Sequence, residues 1–213
     1  MIPVSASLEG IQSLQKYFRD FPEVSARAAR DTVNKTAAFG YADSSRFMRE
    51  QINFDQNYIG SFVNGNRLIA TQKATTAKPV AVIEARQRPV SLARYAASRD
   101  VFGKAGVRVK VRGARGGAKM LKSGFLVKLR KGKARIEDGY NIGLVVRMPK
   151  GVPLANKYKF AGKPYSDTDP DLYLLYGPSV DQVFKSVRDQ VAPRALDYMT
   201  REFLRNFERY ARG

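Results

Sequence analysis

The sequence contains no cysteine and no histidine. Without cysteine there is no disulfide framework, no thiolate nucleophile and no thiolate metal site. Without histidine the commonest general base and the commonest zinc ligand are gone. Carboxylates alone can support acid–base or metal chemistry, but they are scarce: 19 Asp and Glu stand against 38 Lys and Arg. Long apolar runs are also missing, so no segment suits a membrane span. The start, Met1 to Glu9, lacks the basic opening and apolar stretch of a signal peptide. These absences lead us to expect no enzyme, no cofactor, no metal site and no membrane partner, in a cytoplasm-like compartment.

What is present is charge of one sign on a chain long enough for a core. A formal net charge of +19 over 213 residues attracts polyanions: nucleic acid, an acidic protein surface or anionic lipid. The clearest local pattern is Leu172 to Gly213. Leu172–Tyr176 is a compact apolar and aromatic run that suits a strand. Gly177 and Pro178 break it. Ser179 is a good N-cap, and Gln182 follows three residues on, where a capping-box side chain reaches back. Val180, Val183, Phe184, Val187, Val191, Ala195, Met199, Phe203 and Phe207 then recur at steps of three and four, one apolar face of a long helix. Pro193 predicts a kink or two helices end to end. Lys185, Arg188, Arg194, Arg201, Arg205 and Arg209 read as its solvated face.

Earlier in the chain, Ser7 is positioned to cap a helix with Leu8, Ile11, Leu14, Phe18 and Phe21 on one face. From Pro22 to Gln51 a second, Ala-rich helical pattern has Val24, Ala28, Val33, Ala37 and Phe47 as its candidate buried positions. Its small residues permit close packing against the C-terminal helix or another subunit, and Gly40 is a weak point. Residues 52–79 read as a short helix or turn followed by irregular chain. Strands are expected at 80–85, at Val107–Arg112 with valines and basic residues alternating, at Phe125–Leu129 and at Ile142–Arg147. The glycine-rich segment 113–119 reads as an exposed hairpin tip; it lacks the order of a phosphate-binding loop. Asp167, Asp169 and Asp171 offer oxygens at alternate positions but lack the rest of a calcium loop, so they read as a polar turn. Tyr173, Tyr176, Phe184, Phe203 and Phe207 are spaced as core.

Helices, then strands, then strand and helix, without βαβ alternation, predict an α+β fold: an antiparallel sheet with a basic hairpin, packed against long N- and C-terminal helices. The expected organisation is a single domain over 1–213. Residues 1–51 are helical, 52–148 are mainly strands and basic loops, 149–171 form a long polar connection, and 172–213 form a strand plus a long helix. The main chemical signal is the middle: Arg108, Lys110, Arg112, Arg115, Lys119, Lys122, Lys128, Arg130, Lys131 and Lys133 are candidate contacts for nucleic acid or an acidic partner. No base-reading module accompanies them, so a nucleic-acid contact would be blind to sequence. A solvated or subunit-facing positive surface stands as an equal alternative.

The motif Leu175-Tyr-Gly-Pro-Ser-Val180, with Gln182 and Phe184 on the helix that follows, resembles the tail-completion proteins of tailed bacteriophages, the minor tail protein Z family, which is related to head–tail joining proteins. Other parts agree in order: the paired N-terminal helices, Arg67–Thr71 after Tyr58-Ile59, Gly124–Leu129 before a basic turn, and Ile142–Arg147 after it. The connection 149–171 departs from the family in length and polarity. The resemblance implies a non-catalytic virion protein at the phage neck, assembled in the host cytoplasm. It would complete the head-proximal end of the tail as an oligomeric ring, hexameric like the tail. Its partners would be itself, the head–tail connector or portal-side proteins, and tail terminator or tail tube proteins. The genomic DNA in the channel is a further candidate. A tail terminator and a free, non-specific nucleic-acid-binding protein are the alternatives.

Overall fold

The computed structural model describes residues 15–16, 18–62, 67–98, 102–113, 116–129, 141–149, 162–166 and 169–212. The helix expected from Ser7 therefore lies largely outside the described residues, with Leu8, Ile11 and Leu14. The fold is α+β, with long helices near both ends of the chain and antiparallel sheets between them. The chain divides into two compact units. Unit 1 is Met1–Met48, Asp55–Arg86 and Val183–Gly213; unit 2 is Arg49–Phe54 and Gln87–Gln182.

Unit 1 is built on two long helices, α1 (Pro22–Gln51) and α3 (Val180–Ala211), whose ends beyond the stated bounds belong to unit 2. Pro22 opens α1, the position where a missing N–H costs nothing. The face that α1 buries is small and partly polar: Ser25, Ala28, Ala29, Thr32, Tyr41, Asp43, Ser44, Ser45 and Met48. Of the apolar positions expected there, Ala28 is buried, while Val24, Val33, Ala37 and Phe47 are half-buried. Small side chains let α3 come close, and the neighbour left open by the sequence is the C-terminal helix. Phe39 stacks on Tyr198 with ring centroids 4.6 Å apart. Phe18 stacks on Phe203, and Phe21 meets Phe207 edge-on. Val183, Val187, Val191, Phe203 and Phe207 are buried along α3, as their spacing predicts.

Two expectations about unit 1 change. Residues 180–211 form one helix of 32 residues with Pro193 inside it, so of the two alternatives expected at Pro193 the pair of helices end to end is not found. Pro193 and Asp189, one turn earlier, are both exposed, so water can satisfy the carbonyl that proline leaves without a donor. The second change concerns the stretch read as irregular. A four-residue helix, α2 (Gln56–Ile59), is followed by strand β1 (Leu68–Gln72), which pairs antiparallel with β2 (Val82–Ala85). Side chains of α1 hold this hairpin. The Tyr41 hydroxyl donates to the Leu68 carbonyl at 3.0 Å. Asn34 donates to the Ala74 carbonyl at 3.0 Å and accepts from the Ala74 N–H at 2.9 Å.

Unit 2 is a sheet with a hairpin beside it. Strand β3 (Val90–Ser91) leads into a 3-10 turn at Leu92–Tyr95. Strands β4 (Val107–Val109) and β5 (Lys119–Leu121) pair antiparallel. Strands β6 (Gly124–Leu129), β7 (Asn141–Arg147), β8 (Gly162–Ser166) and β9 (Asp169–Gly177) form the main sheet with β3, in the order β3-β9-β7-β6 and with β8 also on β9. The polar connection expected over 149–171 therefore contains a strand, and β9 begins before Leu172. Pro164 hid that strand. It lacks the ladder donor, but β8 pairs with β9 alone among the described residues, so the missing donor falls on an edge. The core comprises Ala93, Val107, Val109, Leu126 and Leu144, with Leu92, Ala96, Phe102, Leu121, Ile142 and Leu175 packed against it.

Candidate functional site

The basic candidates belong to unit 2, and its backbone explains their display. Gly103 and Gly106 have φ of 72° and 92°, a region that favours glycine, in the turn before β4. Along β4, Val107 and Val109 point into the core and Arg108 points out, the alternation that the sequence predicts. Arg108 is opposite Met120 of β5 on the exposed face. Lys119 and Lys122 are exposed, one on β5 and one in the turn to β6. The strand ends at Val109, short of the Arg112 expected, because the chain there pairs with another segment. The Lys110 N–H donates to the Tyr95 carbonyl and the Asn53 N–H to the Val111 carbonyl, at 2.9 and 2.8 Å. Arg112 bridges Ile52 and is exposed, whereas Lys110 is half-buried.

Gly113, expected on an exposed tip, is buried. Its N–H donates to the Gln51 carbonyl at 2.9 Å, at the end of α1. A Cβ at this position would be driven into the backbone oxygens of Arg49 and Glu50, so glycine is required by close approach. The loop that displays the cations is thus pinned at its start. Lys128 is exposed on β6, with its ammonium 5.0 Å from the centre of the Phe102 ring. Arg115, Arg130, Lys131 and Lys133 lie outside the described residues.

The two units treat charge differently. Unit 2 carries 21 Lys and Arg against 8 Asp and Glu; unit 1 carries 17 against 11. In unit 1 three acids are engaged by cations from both long helices. Asp43, nearly buried, accepts from Arg46 at 2.8 Å and from Arg194 at 2.5 Å. Glu202 accepts from Lys35 at 2.7 Å and Arg205 at 3.2 Å. Asp31 accepts from Arg30, Arg209 and the Tyr210 hydroxyl. The hydrogen bond from Lys35 holds the Glu202 carboxyl below its ordinary range, and that from Arg30 does the same for Asp31. In unit 2, by contrast, no carboxylate among the described residues lies within ion-pair distance of Arg108, Lys110, Arg112, Lys119 or Lys122.

Arg194, Arg205 and Arg209 are exposed, as a solvated face requires, and each also meets a carboxylate that the sequence pattern does not announce. The spacing of Asp43 with Arg46, three apart on a helix, was a readable signal. The pairing of Asp43 with Arg194, 151 residues apart, had none.

The strand-to-helix motif forms as its residues predict. β9 ends at Gly177, opposite Val90, where the side chains of Leu92 and Tyr95 close on the glycine to 3.3 Å from a Cβ position. Pro178 is half-buried and starts no ladder. The Ser179 N–H donates to Gln182 Oε1 at 2.9 Å, and the Gln182 N–H donates to Ser179 Oγ at 3.1 Å, a reciprocal capping box. Phe184 is half-buried one turn into α3, and Tyr173 and Tyr176 are half-buried on β9. Among the described residues no group of three or more acidic side chains is placed to hold a metal ion. No described helix is long and apolar enough to cross a membrane. Comparison with protein families, with curated proteins and with solved structures finds no match to this chain.

Proposed function

We propose that this chain is a structural virion protein of a tailed bacteriophage, acting at the neck, where it completes the head-proximal end of the tail and joins it to the DNA-filled capsid as one subunit of an oligomeric ring. The observation that carries the reading is the segment Leu172–Phe184. The residues that resemble the tail-completion family are those that end a sheet strand, stop it at Gly177-Pro178 and launch a 32-residue helix through a capping box. The partners in this reading are further copies of the chain, the connector or portal side of the head, and the terminator or tube of the tail.

The test is electron microscopy of lysates from a phage with a nonsense mutation in this gene. Filled heads beside free tails of normal length are the expected result. Abnormally long tails would make the protein a tail terminator instead. Intact, infectious particles would overturn the neck reading.

A further inference from the structure

We infer that unit 2 carries a contact surface for the phosphodiester backbone of nucleic acid, formed by Arg108, Arg112, Lys119 and Lys122 on the β4–β5 hairpin and its flanks. The inference rests on the neck reading only for the place where nucleic acid would be met; the surface itself lies wholly within unit 2. All four side chains are exposed, and no carboxylate among the described residues is within ion-pair distance of them. They contrast with the arginines of α3 at Arg194, Arg205 and Arg209, whose charges are met by Asp43, Glu202 and Asp31. Cations left facing solvent repel one another. That repulsion is relieved when a polyanion replaces the counterions around them.

The choice of nucleic acid over an acidic protein follows from what surrounds the cations. Protein interfaces bury an apolar centre and are depleted in lysine. Interfaces with nucleic acid are polar and strongly positive. Among the described residues, Met120 is the exposed large apolar side chain of unit 2; the others, Phe18, Phe21, Ile69, Val80 and Leu204, belong to unit 1. The hairpin therefore sets one exposed methionine, opposite Arg108, among its cations, which is less than the apolar centre of a protein interface. It also offers no base-reading element. β4 and β5 are three residues each, and the outward position of β4 is occupied by a single arginine. Contact through phosphates alone predicts binding that ignores sequence and weakens steeply with salt.

The experiment is fluorescence anisotropy of a labelled, random-sequence DNA duplex titrated with the full-length protein at several salt concentrations. It is repeated with unlabelled polyglutamate as competitor and as a direct probe. Two variants are compared with the wild type. One removes the unit 2 charges (R108Q, R112Q, K119Q, K122Q); the other removes four from unit 1 (K73Q, K78Q, K185Q, R201Q). Circular dichroism and melting check that each folds, and K119E and K122E singly serve if the quadruple variant does not. The expected result is wild-type binding without sequence preference. The unit 2 variant should lose about 0.9 from the slope of log affinity against log salt for each phosphate contact removed, while the unit 1 variant keeps the slope. Equal losses in both variants would overturn the inference, because net charge alone would then explain binding. Binding to polyglutamate but not to the duplex would overturn it in favour of an acidic protein, and binding to neither would overturn it outright. Such a failure beside unjoined heads and tails in the mutant lysate would leave the neck reading standing; success beside infectious particles would do the reverse.

Discussion

Unit 1 and unit 2 are both basic, yet they reach stability by different means. In unit 1, carboxylates sit between two long helices and collect cations from both: Asp43 takes Arg46 and Arg194, Glu202 takes Lys35 and Arg205, and Asp31 takes Arg30 and Arg209. Its buried helix face is small and partly polar, and directed bonds such as Asn206 to Thr32 at 3.0 Å cross it. Unit 2 buries Leu126, Leu144 and Val145 almost fully and leaves Arg108, Arg112, Lys119 and Lys122 exposed, with no carboxylate among the described residues within ion-pair distance. Excess charge of one sign repels itself and is a cost to the compact state.

The comparison can be broken or sharpened by experiment. The largest effects should come from the cores. Leu144→Ala in unit 2 and Met48→Ala in unit 1 each remove a side chain with no solvent exposure, and each should cost about 2–5 kcal/mol. Amide exchange read residue by residue checks this. Faster exchange confined to the mutated unit sharpens the division between the two; uniform acceleration breaks it.

Asn206→Ala comes next. It strands the Thr32 hydroxyl and removes one acceptor from Lys35, and should cost about 1–3 kcal/mol in denaturant unfolding. No change would mean that the polar helix interface of unit 1 contributes little.

Acid should then weaken unit 1. The folded-state pKa values of Glu202 and Asp31 are lowered by their hydrogen bonds to Lys35 and Arg30. A lowered carboxyl contributes stability that is present above its unfolded pKa and is lost as the pH falls through its folded pKa. Exchange near α1 and α3 should therefore rise below the ordinary carboxylate range, and Glu202→Gln should flatten that rise. An unchanged acid profile in Glu202→Gln would remove Glu202 from the account.

The smallest effect is a difference of sign. Added salt screens the attractive pairs of unit 1 and the repulsion among the cations of unit 2, so moderate salt should loosen the first and steady the second by a few tenths of a kcal/mol each, about the scale of exposed pairs. Amide exchange across a salt series measures both at once. The same sign in both units would break the electrostatic half of the comparison.

Much of this was legible in the chain. The face of α3 showed in the recurrence of its valines and phenylalanines, the capping box in Ser179 and Gln182, and the outward Arg108 in the alternation of β4. All of these depend on neighbours a few residues away. β1 and β8 were not legible. Leu68–Gln72 acquires its strand conformation from pairing with Val82–Ala85 and from Tyr41, and Pro164 argues locally against the strand that contains it. Of the basic candidates, the sequence told which were charged but not which would find a carboxylate.

By itself, then, the sequence determined the class of fold, the excess of positive charge and the strand-to-helix corner at Gly177–Gln182, because periodicity, composition and capping act over a turn or two of chain. The tertiary structure alone decided which cations are neutralised and which stay bare. Pairs such as Asp43 with Arg194 and Lys35 with Glu202 join residues 151 and 167 positions apart. Gly113 is required only because the end of α1 lies against it. Coulomb attraction and steric exclusion depend on distance in space, and that distance exists only once the chain has folded.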